Sequence, residues 1–178
     1  MKPNWFIGFP VRAPIAMPEA PKRVRLFAPE DRHLTAAFLG TVEAERAWDA
    51  WARVRTVGLE PLDIELTHFR LLGGRRPTAL AAAVGDGFEA AARAMTRVQA
   101  PLVEAGCLKA DRRPPLPHAT LARIQRKATD AERAAAVRWA EQWPLGIRAR
   151  LDEIALFTWA KDRTLQLFEI VAREPLAQ

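Results

Sequence analysis

Two histidines and two threonines, each pair separated by one residue, are the side chains of this sequence best suited to chemistry. His33 and Thr35 lie in Arg32-His33-Leu34-Thr35-Ala36-Ala37-Phe38-Leu39-Gly40, and His118 and Thr120 repeat the spacing in Pro117-His118-Ala119-Thr120-Leu121-Ala122-Arg123-Ile124. Each copy sits in a short apolar run that predicts a buried strand. Residues i and i+2 of a strand point the same way, so each copy presents an imidazole and a hydroxyl on one face. Two such strands brought together hold two imidazoles and two hydroxyls around one small volume. Imidazoles titrate near neutral pH, so one can take a proton while the other gives one. Hydroxyls donate to the oxygens held between them. That is a set for work on a phosphate ester without a metal.

The elements that must position these strands follow from periodicity. Trp5 to Phe9 predicts a first strand ended by Pro10. Val11 to Lys22 carries Pro14, Pro18 and Pro21 and no helical pattern, so it predicts an irregular connection to a short strand at Val24 to Phe27. After the first motif strand, Thr41 is placed to cap a helix with apolar positions Ala44, Ala47, Trp48, Trp51 and Val54. Leu62 to Leu71 alternates as a strand, turns at Gly73-Gly74 and returns at Ala79 to Val84. A helix from Asp86 or Gly87 runs to a kink or early stop at Pro101. The second motif strand follows, then a helix opened by the capping box Thr129-Asp130-Ala131-Glu132. Two long strands, Arg148 to Ala160 and Thr164 to Arg173, close the chain around a turn at Lys161-Asp162-Arg163. Hairpin-joined strand pairs imply antiparallel sheets and an α+β class. The expected architecture is two antiparallel sheets, each carrying one motif strand and backed by helices, facing each other across a central cleft. Residues 1–178 are read as a single domain of two pseudo-symmetric lobes, the trace of a duplication.

Composition narrows the chemistry. The 178 residues are close to half apolar, enough for a core, and no apolar run is long enough to cross a bilayer. The N-terminal apolar stretch is too short for a signal peptide, so the expected location is the cytoplasm. A single cysteine, Cys107, allows no internal disulfide and no cysteine-based metal site, and the three histidines have no carboxylates at ligand spacing. No metal and no cofactor are therefore expected. The absence of tyrosine removes phenols as acids or nucleophiles. The net charge of +6 favours polyanionic partners and phosphate ligands.

The paired motifs resemble those of the 2H phosphoesterase superfamily, in particular its RNA 2′,3′-cyclic phosphodiesterase branch, also called 2′-5′ RNA ligase. The stretch Pro29-Glu30-Asp31-Arg32-His33-Leu34-Thr35-Ala36-Ala37-Phe38-Leu39-Gly40 and the stretch Pro117-His118-Ala119-Thr120-Leu121-Ala122-Arg123 carry the resemblance. Phe69-Arg70-Leu71, Arg75-Arg76-Pro77 and the closing Glu174-Pro175-Leu176 support it. Three features depart from the family: the proline-rich segment where a helix is usual, Ala36 after the first threonine, and Ala119 inside the second motif. All leave the four chemical groups intact.

The resemblance implies hydrolysis of an RNA terminal 2′,3′-cyclic phosphate to a 2′-phosphate. His33 and His118 would be the catalytic pair, and Thr35 and Thr120 would bind the phosphate. Arg123 would add a charge-assisted contact, but its odd spacing from His118 requires a bulge, a twist or the strand end to turn it inward. The sequence does not assign acid and base; His33 as acid and His118 as base is the preferred order. Phe9 and Trp159 are candidates for stacking on a base, and Arg75 and Arg76 for RNA phosphates at the cleft mouth. His68 lacks the following threonine and is read as structural. The expected partner is RNA or a nucleotide with a 2′,3′-cyclic phosphate end, and the expected state is a monomer. Alternatives are 2′,5′-linkage ligation, hydrolysis of another cyclic phosphate or 2′,5′-oligonucleotide, and, in a different class, a non-catalytic RNA-binding module.

Overall fold

The computed structural model describes residues 2–177. In chain order the strands are β1 (Trp5–Pro10), β2 (Val24–Leu26), β3 (His33–Gly40), β4 (Leu62–Leu72), β5 (Ala79–Val84), β6 (His118–Ile124), β7 (Ile147–Leu151), β8 (Glu153–Trp159) and β9 (Phe168–Pro175). The helices are α1 (Ala44–Val54), α2 (Phe88–Glu104) and α3 (Asp130–Gln142), and a 3-10 turn covers Pro29–Asp31. All pairings are antiparallel, in the order β7-β4-β5-β6-β3-β1-β8-β9, with β2 beside β6. The class is α+β. The two expected sheets are the two halves of one continuous sheet, joined where β3 meets β6. Each half starts at a motif strand and runs outward through three more.

That junction is a single residue pair, Leu34 with Ala119, the middle residues of the two motifs. Beyond it the strands part: β6 takes β2 as its neighbour from Ala122 to Ile124, and Phe27 N–H donates to Leu121 O (2.8 Å). Leu34 and Ala119 are both fully buried on the helix-covered face. A large residue at 119 would meet Leu34 there, which gives the small alanine of the second motif its packing reason.

α1 and α2 pack on that face over a core including Ile7, Phe9, Leu34, Leu66, Val98 and Leu121, and α3 covers a smaller cluster around Leu80, Ala122 and Ile124. On α1 the buried positions are Ala47, Ala50, Trp51 and Val54, while Trp48 is exposed and Glu43, not Thr41, is the N-cap. Gly87 is the N-cap of α2; its φ of +83° suits glycine, and a Cβ added there would strike Asp63 O. The helix continues through Pro101 to Glu104, one turn past the proline, where Ala105 N–H still donates to Pro101 O (3.1 Å). α3 has the full capping box, Glu132 N–H donating to Thr129 Oγ1 (3.2 Å) and Thr129 N–H to the Glu132 carboxylate (2.8 Å). No helix among the described residues is long and apolar enough to cross a membrane.

The closing strands differ from expectation. The run from Arg148 to Ala160 is two strands broken at Asp152, because β7 pairs with β4 in one half and β8 with β1 in the other. The turn after β8 is also longer than three residues, and β9 starts only at Phe168.

Candidate active site

The junction fixes where the four motif side chains lie. With Leu34 opposite Ala119 in antiparallel register, His33 faces Thr120 and Thr35 faces His118 across the two strands. Side chains directly opposite are roughly 5 Å apart at Cβ, and residues i and i+2 roughly 7 Å along a strand. The two pairs thus mark out a patch about the size of a phosphate group, on the face opposite the helices. His33, Thr35 and Thr120 line one depression of about 220 Å³, and Thr35 and His118 line the adjoining one.

A second device repeats in both motifs. The pairing of β3 with β1 slips between Ala37 and Thr35, and that of β6 with β5 slips between Ala122 and Thr120. Ala36 and Leu121 are therefore extra residues in β-bulges, each directly after the motif threonine. Ala36 and Ala37 both turn to the helix side, as do Leu121 and Ala122, so the fifth residue after each histidine returns to the groove. In the second motif this residue is Arg123; in the first it is Phe38, more than half exposed. The bulge is what turns Arg123 inward despite its odd spacing. The first bulge is held by Gln99 of α2, whose Nε2 donates to Ala36 O (2.7 Å). Gly8 of β1 lies opposite it, and a Cβ there would sit 2.6 Å from Leu34 O.

The imidazoles are oriented alike. His33 Nδ1–H donates to Asp31 O and His118 Nδ1–H donates to Leu116 O, both at 2.7 Å. A carbonyl only accepts, so each bond places a proton on Nδ1 and leaves Nε2 as the acceptor nitrogen of the neutral ring. Their surroundings differ. His33 is buried against Phe6, Phe157 and Phe168, with ring centroids 4.5, 5.0 and 5.5 Å away. Burial pushes its pKa down to about 4, against the opposing hydrogen bond to Asp31 O; the charges of His118 and Arg123 push the same way as burial. His118 is half-buried beside the Pro114-Pro115 loop.

Asp31 holds this cage together. Its buried carboxylate accepts from Leu167 N–H (2.8 Å) and Phe168 N–H (2.9 Å), tying the start of β9 to the residue whose carbonyl orients His33. Asp31, Phe38 and the three caging phenylalanines were not singled out in the sequence. Phe6 was readable in principle, since β1 must turn Phe6 and Phe9 to opposite faces.

The remaining candidates fall in several places. Phe9 is fully buried in the core on the helix side, so it offers no face to a base. Trp159 does line the groove, with the Arg163 guanidinium 4.2 Å over its ring. Arg75 and Arg76 lie in the β4–β5 turn outside the groove lining, Arg76 paired with Asp130 (2.6 Å). His68 is exposed, its Nδ1 bonded to Thr67 Oγ1. No cluster of three or more His, Cys, Asp or Glu side chains suited to a metal occurs among the described residues.

Comparison with known proteins gives one sequence family and a set of structures. The family described as the 2′-5′ RNA ligase superfamily matches residues 20–163. No curated protein matches the chain. Among solved structures, one described as a phosphoesterase is similar at 20% identity over 100% of both chains with a TM-score of 0.70. The protein TT0787 of Thermus thermophilus is similar at 18% identity over 97% of each chain, TM-score 0.70. E. coli LigT complexed with 3′-AMP is similar at 18% identity over 99% of this chain and 100% of its own, TM-score 0.70. At these identities the likeness is one of fold.

Proposed function

The chain belongs to the 2′-5′ RNA ligase superfamily, the 2H phosphoesterases, and from that premise we propose that it hydrolyses an RNA or nucleotide 2′,3′-cyclic phosphate to a 2′-phosphate, with His33 and His118 as the acid–base pair and no metal. The observation that carries this reading is the crossed square of His33, Thr120, Thr35 and His118, with both Nε2 atoms left free by the same backbone hydrogen bond.

Water attacks phosphorus as one neutral Nε2 takes its proton. The P–O3′ bond breaks as the other histidine, protonated, gives a proton to O3′. One bond forms, one breaks, and the pair ends with its protonation states exchanged. Thr35 and Thr120 hydroxyls donate to the non-bridging oxygens as charge gathers there, and Arg123 adds a fixed positive charge. In the unliganded protein His33 is neutral near pH 7. Its preferred role as acid then requires the bound anion to recharge it, so substrate binding takes up a proton. Phe38 offers an exposed aromatic face for a base beside the phosphate position. Nucleotide binding by E. coli LigT, crystallised with 3′-AMP, is consistent with such a ligand.

The test is a panel of 2′,3′-cyclic nucleotides and cyclic-phosphate-ended RNA, with the product phosphate assigned by phosphorus NMR and a parallel arm in EDTA. The expected result is a 2′-phosphate at undiminished rate in chelator. A 3′-phosphate product, or no turnover of any cyclic phosphate, overturns the proposal.

A further inference from the structure

Arg123 and Arg163 line one end of the groove, Arg25 lies beside them, and none of the three has an acidic partner among the described residues. Arg25 of β2 is registered directly opposite Arg123 of β6, and Arg163 lies in the loop after β8. None of the three is in an ion pair with another described residue, and no carboxylate lines this depression. Like charges directly opposite on neighbouring strands are destabilising. Arg163 worsens the repulsion: burial first, and then the charge of Arg163, depress the pKa of Arg123. The arrangement is nevertheless built. Arg25 Nη2 donates to Arg163 O (2.6 Å), fixing the loop backbone. The Arg163 guanidinium is laid on Trp159, and its Nε is buried with no hydrogen-bond partner. A guanidinium stacked on an aromatic ring and stripped of carboxylates is prepared for an anion supplied from outside.

We propose that Arg163, set in place by Arg25 and Trp159 next to Arg123, forms a second anion subsite that takes a phosphate on the 5′ side of the nucleotide whose cyclic phosphate is opened. The inference rests on the functional reading above and narrows its substrate. The four motif groups already account for the reacting phosphate. A strand running past Arg123 brings its next phosphate towards Arg163. The preferred substrates are then oligoribonucleotide ends or 5′-phosphorylated cyclic nucleotides, over cyclic nucleotides with a free 5′-hydroxyl.

The experiment compares binding of adenosine 2′,5′-bisphosphate and adenosine 2′-monophosphate to the full chain by calorimetry, in wild type, Arg163→Ala and Arg163→Lys. Wild type should bind the bisphosphate about tenfold more tightly, with the gap shrinking as salt is raised. Arg163→Ala should weaken bisphosphate binding about tenfold more than monophosphate binding. Arg163→Lys, which keeps the charge, should retain part of the gap and shows that an effect in the alanine variant is not misfolding. Equal losses for both ligands, or no wild-type preference, overturn the subsite. Cyclic-phosphate turnover measured alongside separates the two claims. A preference without turnover keeps the subsite and rejects the hydrolase; turnover without a preference does the reverse.

Discussion

The strand around His33 and the strand around His118 share a spacing, a bulge after the threonine and a hydrogen bond from Nδ1 to the carbonyl two residues back. They differ in what surrounds those features. The carbonyl that orients His33 belongs to Asp31, itself locked by a buried carboxylate, and the ring sits among three phenylalanines. The carbonyl that orients His118 belongs to Leu116, between prolines at 115 and 117, and the ring opens on a wider depression. One half restricts its histidine by packing, the other by a backbone with few conformations to lose. At the fifth position the halves diverge again: Phe38 on one side, Arg123 on the other. A symmetric backbone thus carries an asymmetric site: His33 is buried among aromatic rings in the depression that Arg123 and Arg163 also line, and His118 is half-buried in the adjoining one. Cleavage of a phosphodiester is equally asymmetric, with a nucleophile entering on one side and a nucleoside oxygen leaving on the other.

The comparison breaks first at the histidines themselves. His33→Ala and His118→Ala should each lower turnover of a 2′,3′-cyclic nucleotide by roughly 10²–10⁴-fold, because each removes one proton-transfer group of the proposed mechanism. The double variant should be little worse than either single one, as expected of groups that act as a unit. A near wild-type rate in either single variant removes the two-histidine mechanism.

Asp31→Ala comes next and should act on one half alone. It leaves the Leu167 and Phe168 amides without their buried acceptor, at about 1–3 kcal/mol for each unsatisfied group. Urea unfolding should show a loss of roughly 2–6 kcal/mol, while Leu116→Ala, whose side chain holds no such latch, should cost much less. Comparable losses would mean that the carboxylate does not hold the cage.

The dry histidine also writes a pH dependence into stability. His33 titrates near 4 when folded and near 6.5 when unfolded, so between those values the unfolded chain binds more protons. Its contribution is complete above pH 6.5, declines as pH falls to 4, and is worth roughly 3 kcal/mol over that window. Chemical denaturation of wild type and His33→Gln at pH 7 and pH 4.5 isolates it from the carboxylates. The difference between the two proteins should shift by most of that amount towards the variant at the lower pH. A constant difference would mean that His33 is hydrated.

Much of this was legible in the sequence, and the limits are physical. The four motif groups and the α+β order could be read because i, i+2 spacing and element periodicity are local. The meeting of Leu34 with Ala119 could not, since register between distant strands is set by the whole fold. Neither bulge was marked by Gly or Pro within the strand, so the inward turn of Arg123 stood as a requirement and the matching turn of Phe38 went unseen. Alternation alone leaves open which face of β1 is buried, so Phe9 is a groove candidate in the sequence; the structure gives the groove to Phe6. The sequence places Arg163 in a three-residue hairpin turn before a strand from Thr164, whereas Asp31 engages the Leu167 and Phe168 amides and the strand starts only at Phe168.

The smallest expected difference is between the two threonines, and it tests the crossed register most directly. Thr35 borders both depressions, between His33 on its own strand and His118 opposite; Thr120 borders only the one it shares with His33. A hydroxyl that borders both depressions can follow the phosphate oxygens through both bond making and bond breaking, whereas one that borders a single depression meets them from one side. Valine keeps the β-branched shape and removes the donor, so Thr35→Val should lower kcat by roughly 10²-fold and Thr120→Val by roughly tenfold, with little change in KM in either. Because both hydroxyls would address one phosphate, the double variant should lose less than the product of the single losses. Equal single effects that multiply fully would mean that the threonines serve separate anions, and the pairing of Leu34 with Ala119 would no longer set the geometry of the reaction.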